Sequence, residues 1–211
     1  MQVIDCSHNL DASTLVFPGT PAIRTKGLKS IQQDGFREKQ ITFTTHCGTH
    51  MDAPAHVLQD GSYLDQLPPE TFFGKGQVID ISAYAAQAVE AEYLERQTLD
   101  EDTEFILFHT GQSLYWGQDA YFNNYPWPGV SLADLIVQHS LKGVGIDAIS
   151  IEPIESSDVP VHKTLLGAGL VIIENLTNLQ RLIGKSFWLT CFPLKITGAD
   201  GSPIRAAAVL E

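Results

Sequence analysis

Short apolar runs separated by turn residues recur along the whole chain. Eight of them read as strands, at 3–6, 41–45, 78–81, 105–108, 144–147, 170–173, 188–194 and 205–210. Four stretches read as helix. Residues 88–96 are Glu-rich, and 132–141 follow Ser131 with Asp134 three residues on, an approximate capping box. Residues 161–166 are closed by Gly167 and Gly169. Residues 176–183 have helical apolar spacing and Gly184 as a stop. Strands outnumber helices, and the two alternate only in the second half. This predicts an α/β fold with a mixed, β-rich central sheet. No repeat or low-complexity linker interrupts the pattern, so residues 1–211 read as a single domain.

Composition narrows the function. Of 211 residues, 44% are hydrophobic and 18% charged, a globular mix. The net charge of −12, from 25 acids and 13 bases, argues against nucleic acid and anionic membrane surfaces, both of which are bound by clustered cations. No run approaches a membrane span and no leader pattern opens the sequence. Three scattered cysteines, Cys6, Cys47 and Cys191, read as free thiols in a reducing cytoplasm, Cys47 as a small buried apolar residue. Turn-rich loops at 18–21, 67–70 and 125–129 carry or adjoin Phe17, Tyr125 and Trp127, and aromatics on such loops line pockets or simply pack.

One segment concentrates chemistry. HCGTHMDAPAH, residues 46–56, holds three of the chain's seven histidines and an aspartate. Behind the alternating run ITFTT, with Gly48 and Pro54 breaking regularity, it reads as an irregular loop aiming several ligands at one point. His46, His50, Asp52 and His56 are donors suited to Zn²⁺ or Mn²⁺. Farther on, His162 precedes a glycine-rich turn, and Glu174 ends the apolar run LVIIE. A carboxylate there is costly to bury unless paired or bound to metal, so both are natural distant ligands. His109 ends an apolar strand and is a weaker candidate. His8 and His139 read as surface residues.

The segment matches every fixed position of the H-x-G-T-H-x-D-x-P-x-H signature of the cyclase-like metal-dependent hydrolases, which include bacterial kynurenine formamidases and isatin hydrolases. VFPGTP (16–21), GQVIDIS (76–82), VGIDAISIEP (144–153) and HKTLLGAGLVIIENLTNL (162–179) also resemble that family. The resemblance implies a swivelling β/β/α fold, a homodimer or larger homo-oligomer, and one or two divalent ions per subunit. By position, it implies His46, His50 and Asp52 on one metal and Asp52, His162 and Glu174 on the other. His56 would be the catalytic acid/base. Two departures bear on substrate choice: PGTP lacks an acidic residue after its glycine, and Glu152 stands where Asp is expected. The implied reaction is hydrolysis of an amide-type C–N bond in a small aromatic substrate, with Phe17, Tyr115, Trp116 or Trp127 as aromatic walls. The alternatives are opening of a cyclic amide or imide, a cyclase or dehydratase, or a non-catalytic metal binder.

Overall fold

The computed structural model describes residues 1–210. Its strands are β1 (Gln2–Asp5), β2 (Arg24–Lys29), β3 (Glu38–Thr42), β4 (His50–Asp52), β5 (Phe73–Asp80), β6 (Ala88–Val89), β7 (Phe105–His109), β8 (Trp127–Pro128), β9 (Gly143–Ile146), β10 (Val171–Glu174), β11 (Phe187–Thr190), β12 (Gly201–Pro203) and β13 (Ala207–Leu210). Its helices are α1 (Ile31–Asp34), α2 (Ala91–Glu95), α3 (Val130–Ile136) and α4 (Pro160–Gly167).

Nine strands form one mixed sheet in the order β1-β13-β11-β5-β7-β9-β10-β4-β12. The centre, β5-β7-β9-β10, is parallel, and the flanks are antiparallel. The central strands are continuous apolar runs because both faces are covered. Ile106 and Phe108 of β7 enter one core, with Leu132 and Ile136 of α3 and Leu165 of α4. Phe105 and Leu107 enter the other, with Ile4, Met51, Leu189 and Ala208. That second core joins residues from both flanks, so the sheet curls around it. The α/β architecture read from the pattern is the one observed.

Several boundaries move. Residues 176–183 form only a 3₁₀ turn at Leu179–Arg181. Leu176, Leu179 and Leu182 are all fully buried, and a spacing of three suits 3₁₀ geometry better than an α-helix. Residues 88–96 split into β6 and α2. Helix α3 ends at Ile136, and Gly129 occupies its N-cap position. Ser131 instead accepts a hydrogen bond from the Ala91 amide at 3.0 Å. The run 41–45 is strand only to Thr42, the end of β3.

Strands β2 and β3 form a two-stranded hairpin apart from the main sheet, and every residue of both is exposed. With α1 between them they make an arm bearing the exposed apolar residues Leu28, Ile31, Phe36 and Ile41.

Candidate metal centre and active site

The sheet, rather than a loop, carries the heart of the motif. His50 and Asp52 lie on β4, and Met51 between them points into the core with 0% exposure. Alternation along the strand therefore puts the two polar side chains on one face. In the antiparallel register, Glu174 of β10 lies directly opposite His50, and Ile172 opposite Asp52. Gly48, at φ +59°, provides the left-handed turn into the strand. After it, Pro54–His56 form a 3₁₀ turn that carries His56 back to the same face. His162 arrives from the first turn of α4.

These groups form one buried cluster. His50 Nε2 lies 3.3 Å from Asp52 Oδ1 and 3.5 Å from Glu174 Oε2. His162 Nε2 lies 3.3 Å from Glu174 Oε1 and 3.9 Å from Asp52 Oδ2. His46 Nδ1 lies 2.6 Å from Asp52 Oδ1. His46, His50 and His162 each engage the other ring nitrogen outside the cluster. His46 Nε2 donates to Asp200 at 3.0 Å, His50 Nδ1 to the Gly48 carbonyl at 2.9 Å, and His162 Nδ1 to Glu152 at 2.6 Å. Such outer partners fix the tautomer and aim the free nitrogen, as around metal-bound histidines.

The donor set fits a divalent cation. Asp52 Oδ2 is buried and has no hydrogen-bond partner among the described residues. An ionised oxygen in that position is costly unless a cation meets it. Burial opposes charge on His46 and His162, yet Asp52 and Asp200 hold the first at a pKa of about 9, and Glu152, Glu174 and Asp52 hold the second at about 10. Asp52 is likewise kept well below the usual carboxylate range despite complete burial, by His46 and His50. The cluster thus draws positive charge. Two three-residue groups place their donor atoms within 4.8 Å of one another: His46, Asp52 and His56, and His50, Asp52 and Glu174. The grouping differs from the one the resemblance implies, but Asp52 is again common to both.

His56 stands apart electrostatically. Burial, reinforced by the nearby His46 and His162, lowers its pKa. Its side chain is about a third exposed, and its ring lies 3.9 Å from that of His46, centroid to centroid.

A cavity of about 260 Å³ opens above the cluster. His46, His50, His56, His162 and Glu174 line its floor, and Leu15, Val16, Phe17, Ile149, Ile154 and Val159 form apolar walls. Phe17 is the only aromatic carbocycle in the lining, which also contains no Lys or Arg. Tyr115, Trp116 and Trp127 lie elsewhere: Tyr115 is exposed, Trp116 stacks on His8, and Trp127 lines a separate crevice.

Other residues correct the sequence reading. His8 is partly buried rather than a free surface residue. Its ring stacks on Trp116 at 3.9 Å, and its Nε2 is buried without a partner. His109 is not part of the candidate metal cluster; it donates to Asp147 at 3.0 Å. Asp200 and Glu152 were not foreseen as partners of the cluster's histidines. Glu152 stood out in the sequence only as a departure from Asp, and Asp200 gave no signal. Asn175, held at φ +57°, donates to the Gly48 carbonyl at 2.9 Å and braces the turn before β4.

The Cyclase family model matches residues 4–153 of this chain. The protein belongs to that family of cyclase-like metal-dependent hydrolases. The kynurenine formamidase of Salinibacter ruber is 34% identical to it over 98% of this chain and 96% of its own. The kynurenine formamidase of Geobacillus thermodenitrificans is 32% identical over 97% and 95%. Isatin hydrolase A from Labrenzia aggregata, solved with bound benzyl benzoate, superposes with a TM-score of 0.89 at 26% identity, covering 100% of this chain and 94% of that one. The chain is accordingly an enzyme of the hydrolase class that acts on non-peptide C–N bonds. No helix among the described residues is long and apolar enough to cross a membrane.

Proposed function

We propose that this enzyme hydrolyses an amide-type C–N bond in a small aromatic compound, as an arylformamidase of the kynurenine formamidase kind. The observation that carries the reading is the placement of His56, the one motif histidine with a lowered pKa, beside the carboxylate–imidazole cluster at the floor of an apolar cavity. A divalent cation held by His46, His50, Asp52, His162 and Glu174 would supply a Lewis acid and an ionised water at neutral pH. The set accepts Zn²⁺ or Mn²⁺. Asp52 turns Oδ1 toward His46 and His50 and Oδ2 toward His162, as a carboxylate between two ions would, so the reading includes two. His56, neutral at working pH, takes the proton from the attacking water and returns it to the leaving nitrogen. Phe17 and the aliphatic walls pack against the aromatic part and exclude water.

One observation favours a second reading. With no Lys or Arg in the lining, the cavity offers no guanidinium or ammonium group to a substrate carboxylate. An uncharged cyclic amide or imide of the isatin kind therefore suits it as well as a formyl amino acid. The test is turnover of N-formylkynurenine and isatin by protein stripped of metal and reloaded with Zn²⁺ or Mn²⁺. Metal-dependent hydrolysis of either supports the reaction class, and the ratio of rates chooses between the readings. Absence of turnover on both, with metal bound stoichiometrically, overturns the formamidase assignment.

We also propose that the chain works as a homodimer or larger homo-oligomer, joined through the arm. An isolated two-stranded hairpin is marginal in water. Residues 24–42 carry five of the chain's 13 bases and two of its 25 acids. A basic, apolar arm on an otherwise acidic chain suits the body of a second copy. Replacing residues 25–41 by two glycines is expected to give monomers in sedimentation analysis, and an unchanged oligomer would contradict the proposal.

A further inference from the structure

We infer that Asp200 is a positioning residue that serves two histidines at once, fixing His46 as a ligand and orienting His56 as the proton carrier. The role at His56 rests on the hydrolytic reading above; the role at His46 rests on geometry alone. Asp200 Oδ2 accepts from His46 Nε2 at 3.0 Å and lies 3.7 Å from His56 Nδ1. Apart from Asp200, no carboxylate is paired with His56 among the described residues. The His46 and His56 rings stand 3.9 Å apart, so the carboxylate oxygen that is hydrogen-bonded to His46 also lies within ion-pair distance of His56.

The backbone holds Asp200 firmly. Its carbonyl accepts from the Ala53 amide at 2.8 Å, between the motif's Asp52 and Pro54. The next residue, Gly201, pairs with Asp52 across β12 and β4. A Cβ at Gly201 would stand 2.5 Å from the His46 ring, so this position requires glycine for the chain to pass against the imidazole. The strand pairing that sets β12 beside β4 therefore also sets the Asp200 carboxylate behind the two rings.

The chemistry follows from which nitrogen is occupied. A proton kept on His46 Nε2 by Asp200 leaves Nδ1 to face Asp52 as a donor to metal. At His56, a carboxylate beside Nδ1 favours the tautomer with Nδ1 protonated, so that Nε2 is the nitrogen open to take the proton. It also stabilises the imidazolium formed by that transfer.

The test compares Asp200→Ala and Asp200→Asn with the parent enzyme, with thermal melts to check that both variants fold. Zn²⁺ affinity is measured by chelator competition, kcat and KM at saturating Zn²⁺, and the side-chain tautomer of His56 by ¹⁵N NMR. For Asp200→Ala, Zn²⁺ affinity is expected to fall about 10–100-fold. At saturating Zn²⁺, kcat is expected to fall about tenfold or more with KM little changed, and His56 to lose its preference for the Nδ1–H tautomer. Asp200→Asn, which keeps an acceptor oxygen, is expected to recover most of the affinity but not kcat. Affinity within twofold of the parent in Asp200→Ala overturns the role at His46. An unchanged kcat at saturating metal, or an unchanged His56 tautomer, overturns the role at His56. If the parent turns over no substrate, the hydrolytic reading fails by itself, while the affinity and tautomer measurements still decide whether Asp200 holds the two rings.

Discussion

Two buried clusters in this molecule combine histidine with carboxylate, and they differ in one respect. Asp147, with 0% exposure, is saturated. It accepts from the Thr110 amide and hydroxyl at 2.6 and 2.7 Å, from the Gly111 amide at 3.2 Å, from His109 at 3.0 Å and from Ser113 at 3.3 Å. Asp52 is as deeply buried, yet one of its oxygens has no donor. The first arrangement spends all its acceptor capacity on the end of β7 and the loop that follows it, and it borders no part of the cavity. The second leaves capacity turned toward the neighbouring donor atoms of the cluster. Residue type does not separate a structural cluster from a candidate metal site; here the unfilled valence of Asp52 does.

Substitutions can break this contrast. The largest effect is expected at His56: in His56→Ala, turnover should fall by about 10²–10⁴-fold. Metal content, measured by elemental analysis, should be largely retained, and its loss would make His56 a ligand. Asp147→Ala should act in the opposite sense. It strands buried donors from Thr110, Gly111 and His109, and is expected to lower unfolding stability by about 3–5 kcal/mol in urea titrations while metal stoichiometry stays unchanged. A metal defect there would join the two clusters functionally and undo the contrast. Glu174→Ala is expected to cost metal, since Glu174 faces both His50 and His162; full retention would remove it from the ligand set.

The same contrast explains what the sequence could reveal. The chemistry was legible because the motif packs its donors into eleven residues, and the central strands because both of their faces are apolar. Strand β4 was not legible. Its outward residues are His50 and Asp52, so only Met51 carries a hydrophobic signal, and three residues are too few to show alternation. Strand β12 is equally short, and Asp200 before it gained meaning only once β12 paired with β4. Glu152 lies ten residues from His162, but whether it meets the ring depends on how α4 returns to the sheet. The arm escaped notice because its bases are spread over two strands and a turn.

His8 sharpens the comparison from its other side, because it too has a buried nitrogen without a partner. A neutral imidazole nitrogen is much less costly to bury than a carboxylate oxygen, and no carboxylate forms a hydrogen bond or ion pair with the His8 side chain among the described residues. The ring is stacked on Trp116 instead of being aimed at a cluster. Burial accordingly lowers its pKa from 6.5 to about 4. The unfolded chain then binds a proton that the folded chain does not, so the stabilising contribution is present above pH 6.5 and is lost as pH falls toward 4. Because the ring is partly exposed, screening reduces the effect to about 1–2 kcal/mol. His8→Phe keeps the stacking and removes the titration. Its melting temperature should fall less between pH 6.5 and 4 than that of the parent protein, and parallel curves would show that the His8 ring is solvated in the folded state.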